Sequence, residues 1–392
     1  MINDLYQRSG GTETYLFNLF NGLEERGHVV VVIYGIKTMF DNGIKNRLSY
    51  FVDFNQPIQL IRENITDVIK RESPDILHTH NLGQRGAILY SYINEWCSSI
   101  PVVVSIHVHS LYCPSGLKYF YNGPHICQRR YGVYCLLSML LNRCFDSKRP
   151  WISLNFYNRS RQFLSHCYVF KKIIVSSEFM KSCLVDKRGL KKEDIEVLPF
   201  FTELPELNEY QDENTVLFAG RIYKEKGLDY LIKAMQYINV SFKLLVVGKG
   251  RELNNCKKLA CKMGLEDKIK FVGWEFDCGE YYRKASVVVI PSIWPEPYGI
   301  VGIEAMSYAK PVVAFNVGGI PEWLQDKQTG FLVRPYDIKE MAAKIELLLR
   351  DKTLAMRMGQ QGRIMAEERF NKNRHVKRLL EIYGELKRRF KV

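Results

Sequence analysis

The chain has 392 residues, and at about 150 residues per domain this length predicts two domains or slightly more. Hydrophobic residues make up 46% and charged residues 25%, which excludes a disordered chain and allows sizeable cores. Lysine and arginine outnumber acidic residues by 56 to 42, so the formal net charge is +14. This charge favours anionic partners such as nucleotides, nucleic acid or an acidic membrane surface.

No apolar run reaches the roughly 18 residues of a membrane-spanning helix, and the longest, Tyr131–Leu141, is too short. The first residues, Met1–Gly11, are polar and glycine-rich and do not resemble a secretory signal. The ten cysteines include no CxxC pair. We therefore expect a cytoplasmic protein, free in solution or peripheral on the inner face of the membrane, with mostly free thiols.

Apolar runs alternate with amphipathic stretches, which predicts an α/β fold with parallel sheets. The predicted strands are Val29–Tyr34, Ile76–His78, Val102–His107, Lys172–Ser176, Thr215–Ala219, Lys243–Val247, Ile269–Val272, Val287–Ile290 and Pro311–Ala314. The predicted helices are Thr12–Arg26, Ile58–Glu72, Gly227–Tyr237, Glu252–Met263, Val301–Tyr308 and Ile338–Arg350. Ile2–Leu5 is long enough only for the stub of a first central strand.

The alternation occurs twice, and the aperiodic segment Pro199–Asn214, with two prolines and several acids, predicts the linker between the halves. We predict an N-terminal domain over residues 1–200 and a C-terminal domain over residues 201–365. The basic segment 366–392, helical in pattern over Glu367–Lys391, either ends the second domain or crosses back to the first.

The most informative segment is 291–322, in which a proline-rich loop follows a predicted strand and leads into a helix that begins near Gly299 or Ile300. Ligands bind at the carboxyl ends of parallel strands, and the first amides of a helix suit an anion. Glu296 lies in the loop and Glu304 lies one turn inside the helix. Carboxylates there suit vicinal sugar hydroxyls, whereas an isolated pair would more simply be two solvated side chains near a capped helix.

Two shorter segments have the same character. In Ala219–Leu228, Arg221 and Lys226 flank a loop between a strand and a helix, where two cations can neutralise a diphosphate. Taken alone, this segment is better interpreted as an ordinary basic loop. In Ser9–Glu13, Gly10 and Gly11 precede a helix and permit close approach of a phosphate or sugar. Gly248-Lys249-Gly250 lacks the third spaced glycine of a dinucleotide fingerprint, so we interpret it as a turn.

Together these segments resemble the retaining nucleotide-sugar glycosyltransferases of family four, which have the GT-B fold. The matching stretches lie in the expected order along nearly the whole chain. They are GGTET at residues 10–14, RGH at 26–28, GR at 220–221, KG at 226–227, the pair Glu296 and Glu304 eight positions apart, KPVVAFNVGGIPE at 310–322 and TGFLV at 329–333.

The resemblance implies two Rossmann-like domains with parallel sheets that face a central cleft, and a last helix that crosses back to the first domain. The second domain would bind the nucleotide sugar. Arg221 and Lys226 would hold the diphosphate, Glu304 would bind the ribose hydroxyls, and Glu296 would bind the donor sugar. The phosphate or the sugar would meet the amides of Gly299, Ile300 and Val301. Gly273 would lie near the base, and Gly10 and Gly11 would close over the phosphates.

His107 ends a predicted strand at the position where the family often has a histidine facing the donor sugar. The family frequently follows this histidine with aspartate, whereas this chain has Val108 and then His109. A lone histidine at a strand end is more often a core residue than a ligand, and the matched motifs make the two interpretations equally favoured here. Ala309 replaces the glycine that usually precedes the PVV strand, a departure that affects only a turn.

The implied reaction is transfer of a sugar from a UDP- or GDP-sugar to an acceptor hydroxyl, with no metal or other cofactor. The acceptor would be a carbohydrate or lipid-linked molecule in polysaccharide, glycolipid or cell-envelope glycan synthesis. Three alternatives are a nucleotide-sugar epimerase on the same fold, a catalytically inactive sugar-nucleotide-binding protein and a basic nucleic-acid-binding protein. Two glutamates at a phosphate-binding loop argue against nucleic acid as the partner.

A basic insertion at about 111–170 is the last feature. Residues 111–172 contain ten lysines and arginines and one acid, Asp146, among many aromatic residues. This composition is typical of docking on an anionic membrane surface, and the alternative is a solvated basic face.

Four cysteines of the same insertion lie near His125, namely Cys113, Cys127, Cys135 and Cys144. Their spacings of 14, 8 and 9 positions fit no common zinc module. We therefore interpret them as buried free thiols rather than metal ligands.

Overall fold

The computed structural model describes residues 1–5, 11–36, 49–52, 58–80, 93–97, 99–120, 125–141, 143–144, 150–188, 190–207 and 213–390. The chain divides into two units. Unit 1 consists of residues 1–199 and 372–392, and unit 2 consists of residues 200–371. No described helix is long and apolar enough to cross a membrane.

Unit 1 is built on a parallel sheet with helices between its strands, as the alternation of apolar runs predicts. Its strands are β1 (Ile2–Leu5), β2 (Val32–Ile36), β3 (Ser49–Phe51), β4 (Leu77–His80), β5 (Val102–Ile106), β8 (Lys172–Val175) and β9 (Ile195–Val197), and β6 (Tyr119–Phe120) and β7 (His125–Ile126) form a separate antiparallel pair. Its helices before the linker are α1 (Gly11–Glu24), α2 (Ile58–Glu72), α3 (Ile93–Cys97), α4 (Val133–Leu140), α5 (Pro150–His166) and α6 (Glu178–Arg188).

Among the described residues the strand order in this sheet is β3-β2-β1-β4-β5-β8-β9. The short strand β1 is central, because it pairs in parallel with both β2 and β4. Every residue of β5 is buried, which is expected for a parallel strand covered on both faces.

Unit 2 has the same kind of architecture. Its strands are β10 (Thr215–Ala219), β11 (Lys243–Val247), β12 (Ile269–Gly273), β13 (Val287–Ile290), β14 (Val312–Phe315) and β15 (Gly330–Val333). Its helices are α7 (Leu228–Met235), α8 (Leu253–Lys262), α9 (Gly279–Lys284), α10 (Ile300–Ser307), α11 (Ile338–Arg350) and α12 (Lys352–Arg369). All pairings are parallel, and the described strands follow the order β12-β11-β10-β13-β14-β15.

The last helix, α13 (Lys372–Phe390), belongs to unit 1. The continuous helix expected over Glu367–Lys391 is wrong, because α12 ends at Arg369 and α13 begins three residues later. Between them, the carbonyl of the fully buried Phe370 accepts a hydrogen bond from the Thr202 amide at 3.0 Å. This contact anchors the break to the start of unit 2.

Candidate active site

The sheet of unit 2 has a point at which its strand order reverses. The chain runs outwards from β10 through β11 to β12, then returns to β13 on the other side of β10. The loops after β10 and β13 therefore leave neighbouring strands at the same edge, the usual ligand position in open α/β sheets. The first loop carries Arg221 and Lys226 and the second carries Glu296. The Ile293 amide joins the loops by donating to the carbonyl of Glu225 at 3.0 Å.

Lys226 and Glu296 form a direct ion pair across these two loops. The Lys226 Nζ donates to the Glu296 Oε1 at 2.6 Å, although 70 residues separate them in the chain. The Ser292 Oγ donates to the same oxygen, also at 2.6 Å. Only 4% of Glu296 is exposed, and the Lys226 ammonium lies 5.2 Å from the centre of the Trp294 ring. The structure thus brings together two residues that the sequence placed in separate motifs.

Glu296 stays ionised despite its burial. Burial by itself raises the pKa of a carboxyl group, but the Lys226 charge and the hydrogen bonds from Lys226 and Ser292 outweigh it, and the pKa of Glu296 is lowered. An ionised carboxylate has further lone pairs that can accept hydrogen bonds from sugar hydroxyls.

Arg221 lies exposed two residues beyond the end of β10. Its guanidinium is 5.5 Å from the centre of the Tyr223 ring, and the Arg251 guanidinium is 5.4 Å from the same ring. Arg251 thus adds a cation at the edge where Lys226 lies. Arg251 could not be predicted from the sequence, because it follows β11 outside any recognised motif.

Glycines allow the loops to approach each other. Gly227 has φ +68°, and a Cβ there would lie 1.9 Å from the Pro291 carbonyl oxygen. Gly318 has φ +58°, and a Cβ there would lie 2.2 Å from the Glu296 carbonyl oxygen, which also accepts a hydrogen bond from the Gly319 amide at 2.8 Å. Only glycine avoids these clashes, so the backbone around Glu296 is fixed by the loop after β14.

Helix α10 begins at Ile300, and Gly299 precedes it with φ +93°. Gly299, Ile300 and Val301 are partly exposed, whereas the loop before them is buried. Trp323 fixes the start of the helix, since it is fully buried and its Nε1 donates to the Tyr298 carbonyl at 2.6 Å. The first amides of α10 are therefore held at the surface near Glu296, in the orientation that suits a phosphate or a sugar oxygen.

Glu304 lies one turn further along α10 and has a partner that the sequence did not reveal. The Tyr282 hydroxyl, on α9, donates to the Glu304 Oε2 at 2.8 Å, and Tyr282 is 2% exposed. Burial raises the pKa of Glu304 to about 7, the Tyr282 hydrogen bond opposes this shift, and Asp277 adds to it. The two site carboxyls therefore differ, since Glu304 titrates near neutral pH and Glu296 does not.

Gly273 ends β12 with φ +102°, and its carbonyl accepts from the Gly248 amide at 2.6 Å. A Cβ on Gly248 would lie 1.9 Å from the Gly220 carbonyl oxygen. The interpretation of residues 248–250 as a simple turn is therefore incomplete, because these glycines let the loops after β10 and β11 touch. Trp274, which follows Gly273, is half exposed and has the Lys249 ammonium 5.0 Å from its ring centre.

His107 lies in unit 1, directly after β5, and is 6% exposed. Its Nε2 shares a hydrogen bond of 3.1 Å with the Nδ1 of His80, and the two rings are stacked with planes 3° apart. Its ring also meets Tyr15 edge-on at 5.5 Å. Burial, followed by the charge of His375, lowers the pKa of His107 to about 3, so the imidazole is neutral at physiological pH.

His107 belongs to a buried group of histidines that was not predicted from the sequence. His78 and His80 alternate along β4, and His78 Nε2 hydrogen-bonds the Ser105 Oγ at 2.8 Å. His375, on α13, bonds the Tyr15 hydroxyl through Nε2 at 2.9 Å and the Pro199 carbonyl through Nδ1 at 2.8 Å. The histidine pair on β4 was a visible signal, whereas His375 could be placed here only by the fold.

Of the two glycines predicted to close over the phosphates, Gly10 lies outside the described residues and Gly11 is the exposed first residue of α1. His109, which stands close to where the family often has aspartate, is buried and hydrogen-bonds the Tyr112 hydroxyl. Its ring also meets Phe179 edge-on at 6.1 Å, so it packs inside unit 1.

The four cysteines of the insertion line one small cavity, and none of them forms a disulfide bond. Cys113 and Cys144 are buried as expected, whereas Cys127 and Cys135 are only half-buried. Burial, and to a smaller extent the charges of the other three cysteines, raise the pKa of Cys144 to about 12. Within the described ranges, no three or more His, Cys, Asp or Glu side chains are placed to hold a metal ion.

Two family models match adjoining parts of the chain. The model "Glycosyltransferase Family 4" matches residues 9–203, and "Glycosyl transferases group 1" matches residues 200–365. The chain belongs to the family four glycosyltransferases. Both models describe glycosyltransferase domains, and this supports the transferase activity that the family resemblance implies.

Relatives of the chain are also glycosyltransferases by name. The α-D-kanosaminyltransferase of Streptomyces kanamyceticus is 27% identical over 334 residues, which cover 81% of this chain and 79% of that protein. An uncharacterised glycosyltransferase of Haemophilus influenzae is 34% identical over 161 residues, 40% of this chain and 45% of the relative. In that second case the match spans less than half of the relative.

The fold is GT-B, as predicted. The HepE protein of Anabaena, solved in complex with UDP, superposes with a TM-score of 0.73 over 98% of both chains at 18% sequence identity. At this level of identity the likeness establishes the fold alone.

Proposed function

We propose that the protein transfers a sugar from a UDP- or GDP-sugar to an acceptor hydroxyl with retention of configuration at the anomeric carbon. The observation that carries this proposal is the Lys226–Glu296 pair at the reversal point of the unit 2 sheet, with Arg221 on the same loop. A cation binds a diphosphate and a buried carboxylate binds sugar hydroxyls, so the pair is placed to bind the donor where its diphosphate joins its sugar. Solved relatives of the fold bind UDP and UDP-glucose, which supports a nucleotide-sugar donor.

Each side chain has a distinct part in this proposal. Arg221, Lys226 and the amides of Gly299, Ile300 and Val301 hold the diphosphate and stabilise the negative charge that grows as it departs. Glu296 orients the donor sugar and Glu304 binds the ribose diol. Gly273 leaves room for the base, and the half-exposed Trp274 beside it offers a ring for stacking.

In the reaction, a bond forms between the acceptor oxygen and the anomeric carbon while the bond from that carbon to the phosphate oxygen breaks. The acceptor proton passes to the departing phosphate oxygen, and attack from the same face preserves the configuration. The cations supply the charge stabilisation, so the proposal requires no metal ion. The family resemblance implies that His107 faces the donor sugar, and this role stays a prediction.

The acceptor in this proposal is a carbohydrate or lipid-linked molecule of polysaccharide, glycolipid or cell-envelope glycan synthesis. The enzyme works in the cytoplasm or on the inner face of the membrane. The basic and aromatic composition of residues 111–172 supports an acceptor presented at an anionic surface.

A product analysis tests the reaction class. A thermal-shift panel of UDP- and GDP-sugars identifies the donor, because a specific ligand stabilises the folded state by mass action. The donor is then incubated with candidate acceptors, and the anomeric configuration of the product is read by NMR. We expect release of the nucleoside diphosphate only with acceptor, and a product with the donor's configuration. An inverted product would disprove retention, and an epimerised donor without acceptor would favour the epimerase.

A further inference from the structure

Helix α4 exposes its apolar side. Val133, Tyr134, Leu137 and Leu140 recur along this short helix with the spacing of a single face, and Leu141 continues it. The opposite side points into unit 1, where Ser138 and Met139 are buried and help to line the cysteine cavity. In an ordinary surface helix the larger apolar residues face inwards, so this arrangement is reversed.

The first turn of α5 continues the exposed apolar surface. The two helices are consecutive and pack together, with the rings of Tyr131 and Tyr157 stacked at 4.8 Å and the Tyr131 hydroxyl donating to the Tyr157 carbonyl at 3.1 Å. Seven side chains, each between 42% and 70% exposed, make up what we call the apolar ridge: Val133, Tyr134, Leu137, Leu140, Leu141, Trp151 and Leu154. A cluster of this size on a soluble protein marks an interaction surface.

The described charged residues that flank α4 in the sequence are all arginines. Arg129, Arg130 and Arg143 flank α4 and are exposed, and the Arg129 guanidinium lies 5.7 Å from the centre of the Tyr134 ring. The sequence from 111 to 172 contains a single acid, Asp146. An anionic partner complements this rim, whereas two copies of the chain meeting at the ridge would bring arginines against arginines.

We propose that the apolar ridge inserts into the interfacial layer of an anionic lipid bilayer, with Arg129, Arg130 and Arg143 at the level of the lipid phosphates. Tryptophan and tyrosine suit this layer, because their rings are apolar at one end and polar at the other. Aliphatic burial and arginine–phosphate attraction add, as in other surface-bound helices. The proposal concerns unit 1 alone and does not depend on the sugar donor.

Vesicle flotation with the full chain tests this surface. We expect the protein to float with vesicles of phosphatidylglycerol and phosphatidylcholine, to bind pure phosphatidylcholine at least about tenfold more weakly, and to be released by high salt. Leu140→Glu is expected to weaken binding to the anionic vesicles by about tenfold or more, because it places a charge in the ridge. Leu60→Glu, at a similarly exposed leucine on α2, is the matched control and should bind like wild type.

Two further readouts separate the outcomes. Thermal unfolding checks that Leu140→Glu is folded, and binding of the nucleoside diphosphate should be unchanged in it. Arg129→Glu, a second variant at the rim, should also weaken vesicle binding. Lack of binding to anionic vesicles at low salt, or equal binding by the Leu140→Glu and wild-type proteins, would overturn the proposal. Self-association that Leu140→Glu abolishes, without vesicle binding, would assign the ridge to a second copy and also overturn it.

Discussion

The two site carboxyls have opposite electrostatic environments. Lys226 and Ser292 hold Glu296 in its ionised form. Burial raises the pKa of Glu304 to about 7, and only the hydrogen bond from the Tyr282 hydroxyl opposes this rise. A carboxylate accepts two hydrogen bonds from a ribose diol, and its protonated form accepts fewer. Protonation of Glu304 should therefore weaken binding of the donor nucleotide.

We expect the affinity for the nucleoside diphosphate to rise as pH increases through about 7, when Glu304 loses its proton. Tyr282→Phe removes a hydrogen bond that lowers this pKa, so the rise should move to higher pH. Tyr281→Phe is the control, because Tyr281 donates to the carboxylate of the exposed Glu275 instead. Calorimetric titrations between pH 6 and 8 measure the effect, and identical pH profiles for the two variants would contradict this role of Tyr282.

The sequence predicted where the candidate site residues lie better than how they pair. Arg221, Lys226 and Glu296 follow strands whose apolar runs are unmistakable, so their common edge could be foreseen. The contact of Tyr282 with Glu304 could not, because α9 shows no motif and 22 residues separate the partners. The roles assigned to all these residues stay predictions until the variants are tested.

At the scale of elements, apolar runs placed the central strands of unit 2 accurately, whereas β2 begins three residues later than predicted, because Val29 is exposed, and β15 was not predicted. The bounds predicted for β10, β11 and β13 are those observed, because these strands lie in the middle of a sheet. The edge strand β3 was missed, since three partly exposed residues make no such run. The break between α12 and α13 was also missed, because a helical pattern continues on both sides of Phe370 and only the contact with Thr202 reveals it.

The turn between α10 and β14 carries a strained residue. Ala309 has φ +53°, a left-handed conformation that costs a residue with a Cβ about 1 kcal/mol or more. Glycine would remove this strain, but its greater conformational entropy in the unfolded chain offsets part of the gain in stability. Ala309→Gly should therefore raise the free energy of unfolding by about 0.5 to 1 kcal/mol, measured by urea denaturation.

Ala343→Gly provides the matched control for this turn. Ala343 is exposed in the middle of α11, where glycine is expected to lower stability by about 1 kcal/mol. A loss of stability in both variants would show that Ala309 is not strained.

At the scale of the molecule, the same parallel architecture occurs twice, but the chemistry differs. The reversal point of unit 2 gathers arginine, lysine and carboxylates, while the strand ends of unit 1 gather neutral buried histidines. The composition predicted an anionic partner, and the family resemblance narrowed it to a nucleotide sugar. The central claim is that unit 2 holds the diphosphate of this donor.

Calorimetric titration with UDP, GDP and the corresponding monophosphates tests this claim most directly. Arg221→Ala is the variant of choice, because Arg221 is exposed, whereas Lys226→Ala would leave the buried Glu296 carboxylate without its cation. Lys268→Ala is the control, since this exposed lysine precedes β12 at the opposite edge of the sheet.

We expect one diphosphate to bind more tightly than its monophosphate. Arg221→Ala should weaken binding of the diphosphate by about 2 kcal/mol and binding of the monophosphate by less. Lys268→Ala should bind both nucleotides like wild type. Equal affinities of wild type and Arg221→Ala for the diphosphate would contradict the site.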